Sequence, residues 1–167
     1  MTTDKKNPYH ELLRNLTREL FQTEASASRH SRREANRLPE SPPKAALNAV
    51  AEHADVALEQ LKQLAEKEDL PEGSFASALG EAFSQIREHV ADHMLEGERS
   101  YRGTLLGMRH GVDAVRMFGL AAKHGGFTDL ARWSEQWEAQ RAPLVLEVER
   151  QLEWFAEHVE KARKLAH

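Results

Sequence analysis

The sequence contains no cysteine, which removes disulfides, thiol nucleophiles and cysteine-based zinc or iron–sulfur sites together. Strand signals are nearly missing: β-branched residues are scarce, and no useful run alternates apolar and polar residues with period two. No window approaches the roughly 18 uninterrupted apolar residues that a membrane span requires. The opening residues MTTDKKNPYH hold no apolar stretch of the kind a signal peptide needs. The expectation is a soluble, cytoplasmic chain without a membrane partner. Charge of one sign is also lacking. The chain has 23 Lys and Arg against 27 Asp and Glu, a net charge of −4, where a dedicated nucleic-acid binder would be clearly basic. No glycine-rich phosphate loop, Ser-His-Asp order or activated nucleophile stands out, so no catalytic residue is assigned and the reading leans away from an enzyme.

What the chain does have is helical periodicity in every segment. Its 167 residues, 40% hydrophobic and 30% charged, fit one domain with a substantial core. The expected fold class is all-α, an antiparallel bundle of four to five helices over residues 1–167, with short disordered ends at about 1–6 and 161–167. Asn7 caps the first helix and Pro8 occupies its first position. Tyr9, Leu12, Leu13, Leu16, Leu20, Thr23 and Ala27 form its apolar stripe. That helix stays compatible to about Arg37 and is stopped by Pro39 and Pro42–Pro43. Ser41 is placed to cap the second helix, whose inner face is Leu47, Val50, Ala54, Ala57, Leu61 and Leu64, ending before Pro71.

A third helix from about Gly73 carries Phe75, Leu79, Ala82, Ile86 and Val90 inward. The next stripe, Tyr101, Leu105, Met108, Val112, Val115, Gly119 and Ala122, continues at nearly the same phase. Joined, the two would be ~75 Å long at 1.5 Å per residue, too long for a compact domain, so a break or bend is expected near Gly97. Gly125–Gly126 closes that helix. The last helix starts near Thr128, buries Leu130, Trp137, Leu144, Val148, Leu152, Phe155 and Val159, and should kink at Pro143.

The order of these segments resembles the bacterial ferritin-like, stress-induced domains. Leu16, Leu20 and Glu24 on the first helix are followed, after the proline linker, by Ala49, His53, Leu61 and Leu64. Glu98 and then Tyr101-Arg102-Gly103-Thr104-Leu105 resemble, with one residue more, that family's glutamate followed by Tyr-Gly-Thr-Leu. Glu135 and Glu138 stand where its last helix carries acidic residues. The resemblance implies a ferritin-like four-helix core with inward Glu and His side chains that bind two metal ions. Such sites take one Glu from each of two helices and a Glu-x-x-His pair from each of the other two. This chain departs from that pattern. His53 does not complete a Glu-x-x-His pair, and the last helix reads Glu138-Ala139-Gln140-Arg141.

Other constellations each carry two readings. His89 and His93, four residues apart with Glu96 one turn on, have the spacing for two imidazoles on one metal ion. The other reading of His93, and the one the pattern favours, is a hydrogen-bonded core histidine near a helix end, where the helix dipole favours its charged form. Glu24 and His53 sit at the margins of their stripes, as ligands or as flanking polar residues. Glu98, Arg109 and Arg116, with Arg102 and Asp113 beside them, suggest an ion-pair row against a neighbouring helix, or an anion site for carboxylate or phosphate. Arg29, His30, Arg32, Arg33 and Arg37 form a basic run suited to RNA or an acidic partner, or to a solvated helix end. Trp133, Trp137, Trp154 and Phe155 read as core or as an interface between subunits.

The sequence thus leads to a metal-binding reading, with Glu24, His53, His89, His93 and Glu98 as ligands for iron, manganese or zinc. The alternative is a metal-free helical scaffold or protein-interaction module that forms a homodimer.

Overall fold

The computed structural model describes residues 7–70 and 97–164. Among these residues there are helices and no strands. We number the helices α1 (Pro8–Arg37), α2 (Pro42–Lys67), α3 (Gly97–Gly125), α4 (Thr128–Arg150), α5 (Leu152–Glu157) and α6 (Val159–Lys164). The expected third helix from Gly73, the joint before Gly97, and His89, His93 and Glu96 lie outside the described residues. So do residues 1–6. Helix α6 runs into the stretch 161–167 that the sequence was expected to leave disordered.

The termini follow from local chemistry. The Asn7 side chain accepts the Tyr9 amide at 3.0 Å, and Pro8 follows at the position where its missing N–H costs nothing. Ser41 stands at the N-cap of α2 but makes no capping hydrogen bond; its hydroxyl donates to the Pro39 carbonyl at 2.8 Å. Two prolines at the first turn of α2 already leave fewer amides there to satisfy. Gly126, at φ 82°, ends α3 in the left-handed conformation. The Phe127 amide then reaches the Ala122 carbonyl at 2.9 Å and the Gly126 amide that of Lys123 at 3.4 Å, a Schellman closure.

Helix α1 packs against α2 and α3, and α4 packs against α3 and α2, so α1 and α4 occupy one diagonal and α2 and α3 the other. The directions can be read from contacts at the ends. Asn7 donates to the Gly125 carbonyl at 3.0 Å, joining the start of α1 to the end of α3. Lys67 pairs with Asp129, joining the end of α2 to the start of α4. Every neighbouring pair is therefore antiparallel, and the order is up, down, down, up. Helix α2 ends and α3 begins at opposite ends of a bundle about 39 Å long, at 1.5 Å per residue over 26 residues. Near the start of α3, Tyr101 donates to the Val148 carbonyl at 3.0 Å and packs on Phe155 of α5, 4.8 Å between ring centres.

The expected stripes are largely the core. Leu13, Leu16, Leu20, Leu47, Val50, Leu61, Tyr101, Leu105, Phe118, Leu130, Trp133, Trp137 and Val148 form one cluster. Two departures are informative. In the second half of α1 the buried residues are Glu24, Ala25, Ser28, Ser31, Glu34 and Ala35 rather than Thr23 and Ala27. The inward face there is partly polar: Glu24 meets Arg141 of α4, and Ser28 donates to Asp55 of α2 at 2.6 Å. The last helix does not run on from Thr128 through Val159. It passes Pro143 but breaks at Gln151 and again at His158, leaving Val159 48% exposed.

Candidate functional site

Glu24 projects from the middle of α1 into the bundle with only 1% of its surface exposed. Arg141 of α4 reaches across the diagonal to it, equally buried, and Arg141 Nη2 donates to Glu24 Oε2 at 2.5 Å. The same guanidinium donates through Nε to His53 Nδ1 of α2 at 2.9 Å. Since Nδ1 accepts, the ring proton belongs on Nε2, which lies 3.2 Å from Gln140 Oε1. Beneath the guanidinium lies the Trp137 ring, its centroid 4.7 Å away, a cation–π contact that desolvation strengthens. His53 meets the same indole edge-on at 5.8 Å. Three helices thus converge on one organic cation.

Burial sets the electrostatics. It pushes the Glu24 carboxyl above its ordinary value, while the Arg141 charge and hydrogen bond pull the other way, as does the Trp137 indole. Burial likewise lowers the Arg141 guanidinium, and Glu24 opposes that. His53 is driven down to about 4, first by burial and then by the Arg141 charge, so its imidazole stays neutral near pH 7. Glu24 Oε1 and Trp137 Nε1 have no well-formed hydrogen bond.

Of the proposed metal ligands, the structure brings together Glu24 and His53. Glu98 stands apart, at the start of α3, 2.8 Å from Arg102 of its own helix. A side chain at Gly111 would touch Thr23, which sets the level of Glu24 on α3. Glu98 precedes Gly111 by thirteen residues, roughly 20 Å along the axis. His89 and His93 are outside the described residues. Among the described residues no group of three or more His, Asp or Glu side chains is placed to hold a metal ion.

The residues present do not fit a metal at Glu24 and His53. The guanidinium already carries a fixed positive charge, occupies Glu24 Oε2 and uses the His53 Nδ1 lone pair, while the His53 Nε2 proton faces Gln140 Oε1. The residue that sequence reasoning missed is Arg141. Its signal was available: Arg141 stands three residues after Glu138, where a Glu-x-x-His pair would put its histidine.

The expected ion-pair row is present at the surface. Arg109 bonds Glu149 at 3.0 Å, and Arg116 bonds Glu138 at 2.6 Å and Asp113 at 3.6 Å, tying α3 to α4. In the basic run, Arg32 pairs with Asp55 of α2, while Arg37 bonds Glu34 at 3.3 Å. Between α1 and α3 lies a hollow of about 290 Å³ bordered by Ser26, Ala27, His30, Gly103, Gly107 and Met108. A Cβ added at Gly103 or Gly107 would meet no atom within 4 Å. No helix among the described residues is long and apolar enough to cross a membrane.

Comparison of the chain with protein-family models, with curated proteins and with solved structures finds no match.

Proposed function

We propose that this chain is a ferritin-like bundle in which an arginine stands where a metal would, and that it acts as a metal-free scaffold or protein-interaction module. Arg141 carries the reading: one buried guanidinium joins Glu24 and His53, the two resemblance-derived ligands that do converge. The up-down-down-up order supports it, because one long connection between the second and third bundle helices is the ferritin-like way to link four helices. A guanidinium is redox-inert and keeps its proton, so it supplies cohesion across the diagonal and no chemistry. This reading departs from metal binding through Glu24, His53, His89, His93 and Glu98.

Elemental analysis of untagged protein, after incubation with iron, manganese and zinc salts and gel filtration, tests it. The expected content is far below one metal per chain. Stoichiometric retention of any of the three would overturn the metal-free reading.

A further inference from the structure

Helix α3 carries an unusual outward line. Arg99, Leu106, Asp113 and Leu120 follow one another at intervals of seven residues, two turns each, so they share one side of the helix. Leu106 is 67% exposed, more than any other large apolar side chain among the described residues. Gly103 and Gly107 flank it, opening onto the hollow between α1 and α3. A knob and a hollow with room for it therefore lie side by side on one face.

The charges around the knob are ordered too. Seven residues before Leu106 is Arg99, exposed and with no ion pair among the described residues. Seven residues after it is Asp113, whose side chain is 77% exposed and only 3.6 Å from Arg116. Reversing the helix direction about Leu106 exchanges the basic position with the acidic one.

We infer that the α3 face is a two-fold interface between two copies of this chain, centred on Leu106. In an isologous contact the same patch meets itself, so each feature must be complemented by another on the same surface. With two α3 helices antiparallel at Leu106, Arg99 of each copy faces the partner's Asp113, twice per dimer. Each Leu106 seats in the hollow beside the partner's Gly103 and Gly107, where the absent side chains let the backbone approach closely. Met108, which also lines the hollow, is itself buried in the core, so the hollow is set by the packing of α1 on α3. A foreign partner would require neither the charge reversal about Leu106 nor the adjacency of knob and hollow, whereas a second copy requires both. The inference names the partner for the interaction-module reading above and rests on it.

Sedimentation equilibrium of the full chain over the micromolar range, with metal content measured on the same sample, tests the interface. The wild type is expected to dimerise. Leu106→Asp, at a position too exposed to unfold the bundle, and Gly107→Leu, which fills the hollow, should each weaken association roughly tenfold or more. Arg99→Asp and Asp113→Arg should each weaken it, and the double exchange should restore it, because only a direct pair across the interface behaves that way. A wild type that stays monomeric, a dimer insensitive to Leu106→Asp, or a charge exchange without recovery would each overturn the inference. A metal-loaded dimer would instead defeat the metal-free reading and leave the interface standing.

Discussion

Arg141 Nη2 and Glu24 Oε2 lie 2.5 Å apart although their helices are not neighbours in the bundle. Only a long side chain can span the diagonal, and burying it required a partner of opposite charge. Removing one member should therefore cost far more than removing both. Arg141→Met, which strands the carboxylate, is expected to lower stability by about 3–5 kcal/mol. The double variant Arg141→Met with Glu24→Leu should recover most of that loss, because well-packed apolar replacements of buried ion pairs are often neutral or stabilising. Urea unfolding midpoints measure both. Equal losses in the single and double variants would contradict the account.

His53 should resist protonation. Its folded value is about 4, against about 6.5 in an unfolded chain. Between those values the unfolded state binds the extra proton, so the stability His53 contributes is present above about pH 6.5 and lost as pH falls toward 4. Glu24, raised by burial, acts in the opposite direction in acid. His53→Gln isolates the histidine, and its stability should fall less than wild type between those pH values. Imidazole NMR shifts should give a midpoint near 4, with Nδ1 unprotonated; a midpoint near 6.5 would sink the prediction.

At Gly119 α3 and α4 approach one another closely. A Cβ there would lie 2.2 Å from Ser134 Oγ and 3.0 Å from Ser134 Cβ. Gly119→Ala is expected to destabilise by about 1–3 kcal/mol, the usual cost of overpacking. Adding Ser134→Ala removes the hydroxyl oxygen and should return part of the loss. Thermal melts of the two variants decide the matter, and an alanine variant at least as stable as wild type would refute the close approach.

Tyr101 offers an alkaline counterpart. Its buried hydroxyl donates to the Val148 carbonyl at 3.0 Å, so Tyr101→Phe should cost about 1 kcal/mol. Burial, with Glu147 adding to it, raises the phenol well above its ordinary value. The folded chain then keeps a proton that the unfolded chain loses near pH ~10. Tyrosine's contribution is thus present below that pH and declines above it. Wild type should lose stability above pH ~10 more steeply than Tyr101→Phe. Parallel slopes would contradict this.

Much of the architecture was legible in the residues themselves. Asn7 with Pro8, the Pro39–Pro43 stop and Gly125–Gly126 act through local backbone chemistry, which needs no distant partner, and each falls at an element boundary. Leu13, Leu20, Leu47, Val50, Leu61 and Leu105 face the core because a repeat near 3.6 puts them on one side of a helix. Glu24 and His53 were visible as polar residues at the edge of those stripes.

Their meaning was decided only by tertiary structure. Arg141 lies 117 residues from Glu24, and a helical wheel cannot say which guanidinium crosses a diagonal. Helical periodicity reports which face is inward and carries no information on what stands opposite it. The breaks at Gln151 and His158 escaped notice for a related reason: each interrupts the helix at a single residue while the apolar spacing continues through it. Local sequence therefore determined helices throughout the described residues and many of their boundaries. The packing of α1, α2 and α4 determined that Glu24 and His53 would meet an arginine, because a buried charge takes the nearest partner that the fold delivers.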